Sequence, residues 1–91
     1  MDGKLKTEIL ECLNAGVRVK LETWVTLEEI AECGNQVEFG NMLANKAAGE
    51  AARHLEYDDH EIIGHSAAEV QVKLDFTVRA GEEEALRALL T

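Results

Sequence analysis

The sequence predicts an α+β domain: a small antiparallel sheet of two or three strands with helices packed on one face. Three observations carry that expectation. Residues 67–79 alternate, with Val70, Val72, Leu74, Phe76 and Val78 on one side and Glu69, Gln71, Lys73, Asp75, Thr77 and Arg79 on the other. That is the period of two of a half-buried strand. Residues 17–25 alternate likewise, with Val17, Val19, Leu21 and Val25 against Arg18, Lys20, Glu22 and Trp24. The remaining stretches carry helical spacing, capping signals and stop signals, giving the order α-β-α-α-β-β-α. Strands with one apolar face need helices to cover it.

Each element has its own reason. Leu5, Ile9, Cys12 and Leu13 form the apolar stripe of a first helix over residues 4–15, and Asn14-Ala15-Gly16 stops it. The first strand follows, with Trp24 on its polar side, where an aromatic suits a covering element or a partner. Thr26-Leu27-Glu28-Glu29 has the pattern of a capping box. It starts a short helix through Cys33, with Leu27, Ile30 and Ala31 expected inward and Gly34-Asn35 ending it. A longer helix is expected from Gln36 to Leu55, with a side of small residues: Leu43, Ala44, Ala47, Ala48, Ala51 and Ala52. Gly40 and Gly49 each cost a helix interior about 1 kcal/mol against Ala. Either close packing offsets that cost, or the helix begins after Gly40 with Asn41 as its cap. Residues 56–61 hold four acids and read as a polar connector. Glu61-Ile62-Ile63 is expected as a brief strand, turned by Gly64-His65-Ser66 into the long one. Ala80-Gly81 breaks that strand. Glu82-Glu83-Glu84 then opens a last helix, with negative charge at the positive end of its dipole and Ala85, Leu86, Leu89 and Leu90 inward.

Ninety-one residues make a single domain, 1–91, with a narrow stability margin for which oligomerisation is a remedy. Apolar residues at 46% and charged residues at 30% exclude wholesale disorder. The net charge of −9 falls in residues 26–91, because residues 1–25 hold four bases and four acids. No Lys or Arg lies between Lys20 and Lys46. Such a chain repels a phosphate backbone, so direct nucleic-acid binding is not expected. No apolar run reaches the roughly 20 residues of a membrane span. The polar N-terminus lacks the apolar core of a signal peptide, which predicts a cytoplasmic protein with reduced thiols. Cys12 and Cys33 lack metal-ligand spacing and read as small hydrophobes. No Gly-x-Ser-x-Gly, phosphate-binding loop or dinucleotide fingerprint occurs, so neither catalysis nor a cofactor is expected.

What remains is the acidic surface. Glu28, Glu29 and Glu32 share one short helix, Glu38 and Glu22 flank it, and Asp58 and Asp59 lie in the acidic connector. If these converge, the domain is a non-enzymatic regulator or inhibitor that binds a protein partner with a basic surface. In charge and size it resembles small acidic inhibitors that mimic nucleic acid. The expected partner-binding residues are Trp24, Glu28, Glu29, Glu32, Glu38, Asp58 and Asp59, with Trp24 as apolar anchor.

Two other classes compete. Up to its last helix, the element order is that of a winged-helix DNA-binding regulator, with the helix from Gln36 as reader and residues 60–79 as wing. That helix offers Lys46 and Arg53 against Glu38 and Glu50, a poor match to phosphates. The other class is a small metal-binding protein or enzyme using His54, His60 and His65. His60-Glu61-Ile62-Ile63-Gly64-His65 has its histidines five apart, one more than the zinc-protease spacing. Finally, the polar side of residues 67–79 runs acid, neutral, base twice. If that strand lies at a sheet edge, antiparallel pairing with a copy of itself matches acids to bases in a homodimer.

Overall fold

Both alternating stretches become strands, and the computed structural model describes all residues from Met1 to Thr91. The elements are α1 (Gly3–Ala15), β1 (Val19–Thr26), α2 (Leu27–Glu32), α3 (Gln36–Ala48), a 3-10 turn (Gly49–His54), β2 (Leu55–His65), β3 (Glu69–Val78) and α4 (Glu83–Leu90). This is the predicted α+β order, with four helices and one antiparallel sheet of strand order β1-β3-β2.

Cross-strand register explains the core. Val19 lies opposite Phe76, Leu21 opposite Leu74 and Val25 opposite Val70, so the apolar positions of β1 and β3 share one face. Ile9 and Leu13 of α1, Leu43, Ala47 and Ala48 of α3, and Leu86 and Leu90 of α4 pack onto it. No polar or charged side chain is buried in this core. The other sheet face carries charge: Lys20 and Asp59 flank Asp75, and Glu22 and Glu61 flank Lys73.

Three helix ends follow the sequence signals, and the structure adds a cap at Asp2. Asp2 accepts from the Lys4 amide at 3.3 Å at the start of α1, and Gly16 closes that helix at φ 69°. The capping box at α2 forms in full: the Glu29 amide donates to Thr26 Oγ1 at 3.0 Å, and the Thr26 amide donates to Glu29 Oε1 at 2.9 Å. Glu83 and Glu84 occupy the first turn of α4.

One open alternative is decided and three expectations are corrected. The long strand is not an edge: β1 pairs one side of β3 and β2 the other, so β3 has no free edge to offer a copy of itself. The acidic connector and the brief strand are one 11-residue edge strand, β2. Register shifts between Tyr57 and Asp59 and between Ile62 and Gly64 break its alternation, which hides it from a period-two reading. The long helix ends at Ala48 rather than Leu55, because Gly49 turns out of it at φ 55°. It does run through Gly40, where an added Cβ would stand 3.3 Å from Tyr57 Cδ1, so the glycine lets α3 approach β2 closely. Lastly, α2 buries none of its side chains fully. Leu27 is 52% exposed and Ala31 is exposed, while Ile30 is half-buried. A six-residue helix offers one short stripe, and here caps rather than core packing fix it.

Candidate functional site

The helices do not cover the whole apolar side of the sheet. On β3, Val72 is buried, but its β2 partner Ile62 is 62% exposed. Next to Ile62 on that side of β2 lies His60, whose ring meets Phe39 of α3 edge-on at 5.5 Å. Phe39 and Ile30, with Cys33 and the Gly34-Asn35-Gln36 turn, line an open cleft of about 360 Å³. This shallow cleft ends at Phe39, against which His60 packs, and exposed Ile62 is the next residue of β2 on the same side of the sheet. Two stretches distant in the chain, residues 30–39 and 60–62, supply these side chains.

Its floor is held by an aromatic chain. Tyr57 stacks on His60 with centroids 6.1 Å apart and meets Phe76 edge-on at 6.4 Å. The Tyr57 hydroxyl hydrogen-bonds His60 Nδ1. In a regular strand residues three apart face opposite sides. The bulge at Asp58 puts Tyr57 and His60 on the same side and makes this contact available. Burial, then the nearby Asp59 charge, raises the Tyr57 phenol above its ordinary value, so it stays neutral and able to donate.

The chain segments that supply the groove are acidic, although Glu56, Asp59, Glu61 and Glu69 sit on the opposite face of the sheet, paired with Thr77, Asp75, Lys73 and Thr26. Residues 21–45, which contain α2 and the first part of α3, hold five acids and no Lys or Arg. Residues 54–72, which contain β2, also hold five acids and no Lys or Arg. The next base along from α2, Lys46, is bound to Glu29 Oε1 at 2.6 Å.

The sequence-predicted site residues do not form one surface. Thr26 and Asp59 lie opposite Glu69 and Asp75 of β3, six residues apart, which is about 20 Å along a strand. They also sit on the two outer strands, so the α2 acids and the Asp58-Asp59 pair are separated along and across the sheet. Several of these acids have local work. Glu29 caps α2 and binds Lys46, and the Lys46 ammonium, with the Thr26 amide, holds its carboxyl down at about 2 from an ordinary 4.5. Glu38 accepts from the Gly34 amide at 2.6 Å while its own amide donates to Asn35 Oδ1 at 2.9 Å, which fixes the start of α3. Asp58 accepts from the Thr77 hydroxyl, and Asp59 from the His60 amide at 2.8 Å. Glu28 and Glu32 have no such bonds and are exposed. By helical spacing they project away from the side of Ile30 and Cys33. Trp24, 43% exposed, lies on the sheet face opposite the helices, beside Gln71, and takes no part in the groove.

The three histidines occupy three environments. His54 Nδ1 lies 2.9 Å from Glu82 Oε1 beside α4, His60 is in the groove, and His65 ends β2 exposed. His60 and His65 are five strand residues apart, roughly 17 Å, and no group of three His, Cys, Asp or Glu is placed to hold a metal ion. Ser66 bonds Glu69 through its amide rather than any histidine, and Cys33 Sγ donates to the Glu29 carbonyl at 3.3 Å. No helix is long and apolar enough to cross a membrane.

Two features of the groove escaped the sequence. His60 and Ile62 fell in stretches read as connector and brief strand, and Phe39 was one apolar residue in a helix read by its alanines. The signal available was the absence of Lys and Arg from residues 54–72 as well as from 21–45. No protein-family model, no curated protein and no solved structure matches this chain.

Proposed function

We propose that this chain is a small, non-enzymatic protein-interaction domain, a regulator or inhibitor of its partner. It docks a basic amphipathic helix of that partner in the groove between α2, α3 and β2. One observation carries the reading: Ile62, 62% exposed, lies next along β2 from half-buried His60, which packs on Phe39 at the edge of the cleft of Ile30 and Cys33, and the chain segments that supply these residues hold ten acids and no Lys or Arg. Exposed apolar surface rimmed by charge marks interaction sites. The edge of β2 is bulged and acidic, features that discourage strand addition, so a helix in the groove is the favoured mode. Glu28 and Glu32, free of structural bonds but turned away from Ile30 and Cys33, add to the long-range field that attracts a basic partner.

The test is affinity capture from the source cell's lysate with three baits: wild type, Ile62→Glu and Val17→Glu. Val17 is 56% exposed at the α1–β1 connection, away from the groove, and serves as control. A partner held by wild type and Val17→Glu but lost by Ile62→Glu is the expected result. Retention by Ile62→Glu would overturn the groove. The α3–β2–β3 order favours a second reading, a winged-helix DNA binder. Lys46, the one base of α3, is already engaged by Glu29, which weighs against it. Sequence-specific gel retardation at low salt would favour that reading over ours.

A further inference from the structure

The sheet has two edges, and they are unlike. Along β2, two register shifts and four acids spoil a straight ladder. Along β1 the register with β3 is unbroken from Val19 to Thr26. No main-chain group from Val19 to Val25 bonds anything except the β3 ladder. The neighbouring helix α1 does not close this edge: a groove of about 590 Å³ lies between Lys4, Glu8, Glu11 and Cys12 of α1 and the side chains of β1. An open, regular strand edge without bulge or proline is a template for another strand.

We propose that the occupant is a second copy of this chain, paired antiparallel through β1 across a twofold axis at Leu21. Faces and charges select this register. Apolar and polar sides must coincide in the two copies, so only pairings of like face are allowed. With the axis at Leu21, Lys20 lies opposite Glu22 of the partner and Glu22 opposite Lys20, while Val19 meets Thr23. Arg18 then falls opposite the exposed indole of Trp24, a cation–π geometry. An axis at Lys20 would set two lysines against each other, and one at Glu22 two glutamates. An axis at Val19 would oppose Arg18 and Lys20, and one at Thr23 would match no acid to a base. The Leu21 register extends the existing rows, because Lys20 already faces Asp75 and Glu22 already faces Lys73 within each copy. The product is a continuous six-stranded sheet with β1 strands at its centre. It gives Trp24 a partner and leaves the groove at the β2 end of each copy free, so it is independent of the docking proposal above.

Sedimentation velocity across protein concentrations, from micromolar to a few hundred micromolar, provides the test. Wild type is expected to shift from monomer to dimer with rising concentration. Lys20→Glu sets acid against acid twice per dimer, and Glu22→Lys sets base against base twice. Each single variant is expected to raise the dimer dissociation constant roughly ten-fold or more. An equimolar mixture of the two single variants is the decisive sample. It restores opposite charges at both contacts, so it is expected to dimerise where each variant alone does not. Far-UV circular dichroism of each variant, with its urea midpoint, verifies that the monomers are folded. A wild type that stays monomeric throughout overturns the proposal. A dimer indifferent to both substitutions overturns the surface, and a mixture that stays monomeric overturns the register.

Discussion

Gly40→Ala sets two effects of known size against each other. In a helix interior alanine is favoured over glycine by about 1 kcal/mol. At position 40 the added Cβ would meet Tyr57 Cδ1 at 3.3 Å and Cε1 at 3.5 Å. The first distance is short of ordinary carbon contact, about 3.5–4.0 Å. Tyr57 has little room to retreat, since its ring packs against Phe76 and its hydroxyl is bonded to His60. Overpacking of that kind costs roughly 1–3 kcal/mol. Gly40→Ala is therefore expected to lower stability by about 0–2 kcal/mol net. In a Tyr57→Ala background the obstacle is gone, and the same change should raise stability by about 1 kcal/mol. The coupling between the two sites is then about 1–3 kcal/mol. Urea denaturation of wild type, both single variants and the double variant, followed by circular dichroism, measures it. If Gly40→Ala stabilises equally in both backgrounds, the close approach of α3 to β2 is not what the glycine serves.

Four further outcomes follow from the same contacts. Phe76→Ala, at a fully buried site, should cost about 3–5 kcal/mol. Against a total of about 5–14 kcal/mol for a chain this size, its urea midpoint should fall sharply. Thr26→Ala removes the α2 cap and should cost about 1 kcal/mol in the same assay. The depressed Glu29 carboxyl stabilises the fold fully above pH 4.5, and that contribution is lost as pH falls toward about 2. Thermal midpoints of wild type should therefore fall more steeply between those pH values than those of Glu29→Gln. Ile62→Lys, at an exposed position, should change stability by no more than about 0.5 kcal/mol and still abolish partner capture.

What the sequence disclosed followed from regularity. β1 and β3 keep a strict period of two, and each buries its apolar side as that period requires. Thr26 and Gly16 mark helix ends by local chemistry, and the structure uses both. β2 stayed hidden because its bulges shift the period twice, so Tyr57, His60 and Ile62 reach one face at uneven spacing. The end of α3 was misplaced because Gly49 was read as a cost inside a helix, whereas its positive φ ends one. The acids at 29, 38 and 58 were visible as charge, but charge alone does not show that each is bound to a neighbour. The groove was not legible because Ile30, Phe39 and Ile62 meet only through the tertiary fold.

The central claim is that the groove beside α2, α3 and β2 takes a basic amphipathic helix. The most direct measurement is a nuclear magnetic resonance titration of ¹⁵N-labelled protein with a short helical peptide of leucine and lysine arranged on opposite faces. The account predicts shift changes concentrated at Ile30, Cys33, Phe39, His60 and Ile62, weakened by salt and removed by Ile62→Glu. Changes centred on Trp24 and the opposite face of the sheet, or spread evenly over every acidic segment, would contradict it.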